Sequence, residues 1–274
     1  MSKTDHFVSE RQALIYAELQ AKGRVLAQEL AQSFDVSEDT VRRDLREMAA
    51  RGECERVYGG ALLSNGKTVP LKNRMNEMQE RKDSLGLAAA SLLQEGMTVF
   101  IDAGSTNLAV ARHLAIGTRL TVITNTPVIA AELMGRSGIE LITIGGRIDP
   151  AVGAAIDTTA IRQLEQMRPD LCIVGVCGLT LERGLAADIY EDAVFKQLAC
   201  QASATVLAAI TSEKLGTAAA FHVAPLDPSL TLVLEPGANA DFVLGLEEKN
   251  LDIHFAGHPA RSSSHPHSLK DQSR

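Results

Sequence analysis

Apolar residues fall into two rhythms along this chain. From residue 8 to about 52 they recur at helical spacing. A first stretch holds Leu14, Ile15 and Leu19, a second Leu26, Leu30 and Phe34, and a third Val41, Leu45 and Met48 at i, i+4 and i+7. Each set lies on one side of a helix. Phe34-Asp35-Val36 is a short turn between the second and third helices. Ser37 is a good N-cap for the third, and Glu38 and Asp39 suit the positive end of its dipole. Gly52 stops that helix, and GECERVYGGALL reads as two short strands around a turn. A polar bridge, SNGKTVPLKNRMNEMQE, leads into a long helical stretch from about Asn73 to Gln94.

From residue 97 to 236 the rhythm changes. The runs MTVFIDA, LTVITN, IELITIGG, LCIVGVCGL, ATVLAAIT and LTLVLEP alternate with helical patterns. Such alternation predicts an α/β domain with a mainly parallel sheet covered by helices on both faces. The last stretch, AGHPARSSSHPHSLKDQSR, cannot bury a core. The expected organisation is a winged helix-turn-helix over 1–64, a linker over 65–80, an α/β domain over 81–250 and a disordered tail over 251–274.

With Val41, Leu45 and Met48 turned inward, Thr40, Arg42, Arg43 and Arg46 point outward. In a helix-turn-helix the second helix sets its N-terminal residues against base edges in the major groove. Arginine bonds guanine bidentately or grips phosphate, and hydroxyls such as those of Ser37 and Thr40 meet either. Arg56, on the wing, is placed to hold phosphate. The competing reading is a three-helix cap with a solvated arginine face. A net charge of −7 excludes a wholly basic nucleic-acid coat but not a local positive face.

The α/β part carries a second chemistry. The strand TVFIDA ends at Asp102, and Gly104-Ser105-Thr106-Asn107 opens a helix. Free backbone N–H groups, the helix dipole and two hydroxyls then converge on one spot suited to an anion. Further strand ends carry Thr124-Asn125, Gly145-Gly146, Gly175 and Gly178, where backbone can approach a ligand closely. Alternatively, the helix start is a cap that binds nothing, and Lys214 is a solvated surface lysine.

No cofactor or metal is expected. GGALLSNGKT has five residues between Gly60 and Gly66, one too many for a P-loop, and Val69-Pro70 forbids the helix that must follow. His258, His265 and His267 fall in the tail. Cys54, Cys172, Cys177 and Cys200 show no C-x-x-C spacing and read as reduced, buried thiols. The polar N-terminus has no signal-peptide character, and no apolar run approaches the ~20 residues of a membrane span. The expected setting is cytoplasmic.

The string from Arg11 to Leu62 resembles the N-terminal domain of the DeoR family of bacterial transcriptional regulators. The resemblance rests on VSxxTxRRDL, matched by Val36, Ser37, Thr40, Arg42, Arg43, Asp44 and Leu45, and on Arg56 with Gly59-Gly60-Ala61. Cys54 and Tyr58 depart from the family's usual apolar residue and His. The later pieces Asp102-x-Gly104-Ser105-Thr106, Thr124-Asn125, Gly145-Gly146 and Lys214-Leu215-Gly216 resemble the family's sensor domain, so the likeness spans roughly residues 8 to 236. It implies a fold similar to ribose-5-phosphate isomerase and CoA-transferase-like enzymes, and a sugar phosphate or related metabolite as effector. By the same resemblance, Ser105, Thr106 and Lys214 face the phosphate, and Asp102, Thr124 and Asn125 face the rest of the ligand. Glu191 and Lys196 match an acid–base pair flanking the pocket. Thr211 stands where many members carry an acid, with Glu213 displaced from that position. The expected protein is a homo-oligomeric repressor, dimer or tetramer, that binds double-stranded operator DNA. The alternative is an active sugar-phosphate isomerase or transferase with Asp188 or Glu191 as base.

Overall fold

The computed structural model describes residues 3–22, 24–50, 53–57, 59–63 and 70–257. The first elements are α1 (Lys3–Lys22), β1 (Arg24–Leu26), α2 (Ala27–Ser33), α3 (Glu38–Ala50), β2 (Cys54–Val57) and β3 (Gly60–Leu63). Ile15, Leu19, Leu30, Val41, Leu45 and Met48 are each 2 % exposed or less and form one core with Val25, Cys54 and Ala61. The third stripe therefore packs as its spacing predicts. Asp35 takes φ +52° in the turn between α2 and α3, a conformation that Asp tolerates.

Two positions differ from the predicted stripes. Leu14 and Leu26 are exposed, and Leu26 is not helical. Residues Arg24–Leu26 instead pair antiparallel with β3, giving the sheet order β1-β3-β2. Gly60 permits this: a Cβ there would sit 2.0 Å from the Val25 carbonyl oxygen. Val25, rather than Leu26, then enters the core. The predicted helix stop at Gly52, the departure at Tyr58, Ser64 and residues 65–69 of the linker lie outside the described residues.

The second domain begins with α4 (Leu71–Arg74), α5 (Gln79–Ala90), β4 (Thr98–Ile101), α6 (Ser105–His113), β5 (Leu120–Thr124), α7 (Pro127–Leu133) and β6 (Ile139–Thr143). It continues with β7 (Ile148–Asp149), β8 (Ala154–Ala155), α8 (Thr158–Leu164), β9 (Leu171–Ile173), β10 (Gly178–Thr180), β11 (Gly184–Ala187) and α9 (Tyr190–Ala202). It closes with β12 (Thr205–Ile210), a 3-10 turn at Ser212–Lys214, β13 (Phe221–Ala224), β14 (Leu230–Leu234), α10 (Ala240–Glu247) and β15 (Asp252–Phe255).

The predicted single helix over 73–94 is broken at Met78, whose φ is +51°. Leu71 is buried and its amide donates to the Ala151 carbonyl, so the described part of the linker belongs to the α/β domain. The main sheet has the order β15-β14-β12-β9-β4-β5-β6, and every neighbouring pair is parallel. Six strands fall in the predicted apolar runs. The seventh, β15, lies in the stretch assigned to the tail. Ile253 and Phe255 are half-buried against the core, and pairing with β14 orders them. The tail from residue 258 lies outside the described residues.

Alternation along the strands builds two cores. Phe100, Cys172, Ala208 and Leu232 pack on one face with α8 and α9. Val99, Ile101, Ile173, Leu207 and Val233 pack on the other with α5, α6 and α7. LCIVGVCGL divides: β9 stays in the main sheet, while β10 joins β11 and β13 in a small antiparallel sheet. From β4 the chain moves outward through β5 and β6, then returns to β9 on the other side of β4. That reversal of strand order is the switch point at which open α/β sheets form a crevice at their carboxyl ends.

Candidate functional site

The first site is the outer face of α3. Ser37 caps the helix: its Oγ accepts from the Thr40 amide at 3.2 Å and lies 2.9 Å from Thr40 Oγ1. Arg42, Arg43 and Arg46 are exposed. Arg42 pairs with Glu38 at 2.8 Å, and Arg43 with Glu47 at 3.4 Å, each one turn away on the same helix. Exposed pairs of this kind contribute only about 0–1 kcal/mol, so a phosphate can displace the acid at little cost. Arg56 is exposed on β2, opposite Ala61 of β3. Asp44 does the reverse and points inward. It accepts from Arg11 Nε at 2.6 Å, Arg11 Nη2 at 3.1 Å and Gln12 Nε2 at 3.2 Å. The bond to Asp44 outweighs partial burial and raises the Arg11 pKa. Asp44 thus fixes α3 on α1, while Arg43 and Arg46 face outward.

The second site is a cleft of about 480 Å³, including its open mouth, at the β4/β9 switch point. Gly104 to Asn107 line it at the start of α6, whose first-turn N–H groups no side chain caps. Gly175 to Cys177 line it beyond β9. A Cβ on Gly175 would lie 2.4 Å from the Ala103 carbonyl oxygen, so glycine is what lets the two strand ends meet. Asn107 Nδ2 staples them by donating to the Asp102 and Ile173 carbonyls at 3.0 and 3.2 Å.

Arg74, Lys196 and Lys214 bring positive charge to the walls. Lys196 Nζ lies 2.6 Å from Asp102 Oδ2 and 2.8 Å from Asp192 Oδ1. Burial alone would lower the Lys196 pKa, but the two carboxylates overcome it and raise it. Burial raises the Asp192 pKa, against the pull of Lys196. Asp102 is fully buried; Oδ2 also accepts from the Gly175 amide at 2.9 Å, while Oδ1 has no partner among the described residues. Lys214 donates to the Val176 carbonyl at 2.7 Å, and desolvation lowers its pKa.

The structure therefore brings Gly104, Ser105, Thr106, Lys196 and Lys214 together, with Asp102 behind Lys196. It does not bring the other expected effector residues to them. Thr124, Asn125 and Gly145 line a separate, largely apolar groove of about 800 Å³ between α7 and β6. Thr124 Oγ1 donates to the Ile101 carbonyl, and Asn125 Nδ2 to that of Ala155. Gly146 sits against Asp157, where a Cβ would lie 2.5 Å from Oδ1. Glu191 is exposed; the acid beside Lys196 is Asp192, four residues before it and hence on the same helical face. Glu213 turns away and pairs with Arg81 at 2.8 Å, and Thr211 is buried. Gly175, predicted as a strand end near the ligand, and Asn107, in the predicted anion turn, do line the cleft; Arg74, Asp192, Val176 and Cys177 are cleft residues that sequence reasoning missed. The i, i+4 spacing in YEDAVFK could have signalled Asp192; nothing local signals Arg74.

An arginine-faced winged helix-turn-helix joined to an α/β domain with a cation-lined switch-point cleft defines a ligand-responsive, DNA-binding regulator. Residues 11–67 match the DeoR-like helix-turn-helix domain, and residues 77–235 match the DeoR C terminal sensor domain. The chain belongs to the DeoR family of transcriptional regulators. It is similar to the HTH-type transcriptional repressor GlcR of Bacillus subtilis (strain 168), 28 % identical over 249 residues, 90 % of this chain and 96 % of the relative. It is also similar to the glycerol-3-phosphate regulon repressor of Escherichia coli (strain K12), 31 % identical over 196 residues, 71 % of this chain and 78 % of the relative. Among solved structures, ribose 5-phosphate isomerase A from Methanocaldococcus jannaschii overlaps with a TM-score of 0.37 and 16 % identity, over 50 % of this chain and 54 % of that one. No helix among the described residues is long and apolar enough to cross a membrane.

Proposed function

We propose that this protein represses genes of carbohydrate metabolism and releases its operator when a phosphorylated sugar or related metabolite fills the β4/β9 cleft. The observation that carries this reading is the convergence of Arg74, Lys214 and the uncapped start of α6 on one crevice. Ser105, Thr106 and Lys214 hold the phosphate. Asp102 and Lys196 shape the floor beneath the rest of the ligand. On the DNA side, Thr40, Arg42, Arg43 and Arg46 read the major groove from the helix that Ser37 caps, and Arg56 holds backbone phosphate. Two winged modules in a homo-oligomer read paired half-sites. The names of the relatives, a repressor and a regulon repressor, support the sign of regulation.

The protein acts as a sensor rather than an enzyme in this reading. The two carboxylates that meet Lys196 at the cleft, Asp102 and Asp192, are held by it, an arrangement suited to fixing a cation rather than removing a substrate proton, while Asp188 lies near Cys177 on the cleft wall. The test is a thermal-shift screen of the full chain against sugar phosphates, since a ligand that binds the folded form raises its stability. A hit should lower operator retention, and Thr106→Trp should abolish both effects. Turnover of a pentose phosphate, or a panel in which no sugar phosphate shifts the melting of an operator-binding protein, would overturn the reading.

A further inference from the structure

One wall of the cleft is not part of the α/β core. Arg74 ends α4, and six residues separate Leu63 of the wing from Pro70, just before α4. That connection spans at most about 25 Å even when fully extended. Several contacts seat α4, among them the packing of Met75, its C-cap residue, against the core. The Leu71 amide donates to the Ala151 carbonyl at 3.2 Å. The Leu71 side chain fills the space left by Gly153, where a Cβ would lie 2.6 Å from Leu71 Cδ2. Lys82 Nζ donates to the Arg74 and Glu77 carbonyls, each at 2.7 Å. Met78, a non-glycine residue at φ +51°, forms the joint to α5.

α5 is fixed by comparison. Leu85 and Ala89 are fully buried, and Gly86 lies so close to α6 that a Cβ would sit 2.6 Å from the Ala109 carbonyl carbon. A ligand shifts an equilibrium only through contacts that differ between its two states. Contacts with the α6 start are the same wherever α4 sits. A contact with Arg74 exists only when α4 is seated.

We infer that Arg74 contacts the anionic group of the ligand and, through α4, reports occupancy of the cleft to the DNA-binding domain. This rests on the effector reading above and names the residue through which the ligand regulates.

The test uses the full chain, a duplex selected by that chain from a random library, and the sugar phosphate that most raises its melting temperature. Operator Kd is measured with and without saturating ligand, and ligand Kd is measured separately by calorimetry. The wild-type Kd ratio should be about tenfold or more, within the usual range for coupled sites. Arg74→Gln should weaken ligand binding yet, at saturation, bring the ratio below about twofold; Arg74→Lys should restore part of it. Lys72→Gln, exposed on the same short helix, should keep the wild-type ratio. Melting of each variant without ligand checks that it is folded. A wild-type ratio retained in Arg74→Gln overturns the inference alone. Complete loss of ligand binding in that variant makes Arg74 a binding residue and also overturns its reporting role. If no sugar phosphate binds the wild type, the effector reading fails and this inference falls with it.

Discussion

The protein holds its cations in two contrasting settings. On α3, the side chains of Arg42 and Arg43 are 53 % and 72 % exposed and pair loosely with acids of their own helix. In the cleft, the Lys196 side chain is 4 % exposed and is gripped by two buried carboxylates. A phosphate reaching α3 displaces a weak, solvated partner. One reaching Lys196 must compete with two desolvated acids. The arginines of α3 are therefore free to read a partner, whereas Lys196 is a fixture. On the proposed reading, recognition in the cleft falls to Lys214, Arg74 and the hydroxyls of α6.

Lys196→Met is the strongest way to break this contrast. It leaves Asp102 and Asp192 buried together without their counter-ion, which should cost about 3–5 kcal/mol in urea denaturation. A loss under about 1 kcal/mol would place Lys196 among the surface cations. Arg43→Ala is the complementary change. Operator affinity in a gel-shift assay should fall tenfold to a hundredfold, about 1–3 kcal/mol, while unfolding free energy moves by less than about 0.5 kcal/mol. Normal operator retention, or a large drop in stability, would make the arginine face structural. Ser37→Ala should remove about 1 kcal/mol of stability through loss of the cap, read as a lower urea midpoint with unchanged slope.

The smallest effect sharpens the middle ground between the two settings. Glu235 accepts from Arg81 Nε at 2.6 Å and from the Ser212 amide and Oγ, both at 2.7 Å. Burial would raise its pKa, but these bonds hold it below the ordinary 4.5. A depressed carboxyl stabilises the fold above its unfolded pKa and loses that contribution as pH falls through the folded value. The advantage of wild type over Glu235→Gln should thus be full at pH 7 and shrink on acidification below about 4.5. Urea midpoints that differ equally at pH 7 and in acid would show that the bridge does not titrate with folding.

Much of the architecture was legible because it follows from local periodicity. The inward stripe of α3 and six strands of the main sheet carry their burial pattern in consecutive residues. What escaped depends on distant partners. Arg24–Leu26 looks like a helix start, yet Gly60, far along the chain, offers it a strand to join. Asp252–Phe255 is short and half-polar, and β14 makes it a strand. The site shows the same division. Gly104, Ser105 and Thr106 are adjacent in sequence and stay together in space. Strand ends do not declare which crevice they border: Gly175 lines the cleft, whereas Thr124, Asn125 and Gly145 line the groove beside α7 and Gly146 sits against Asp157. Arg74 reaches the cleft only because Leu71 docks against Gly153.

The seam between β1 and β3 bears on how the protein meets DNA. It fastens the wing to the segment joining α1 and α2, while Arg11 and Asp44 clamp α1 to α3. Arg43 and Arg56 therefore ride on one stiff template with a set distance between them. A template that cannot flex makes the duplex conform instead, and the energy of bending or narrowing varies with base sequence. If these arginines read operator DNA as proposed, steps that no side chain touches become part of the address.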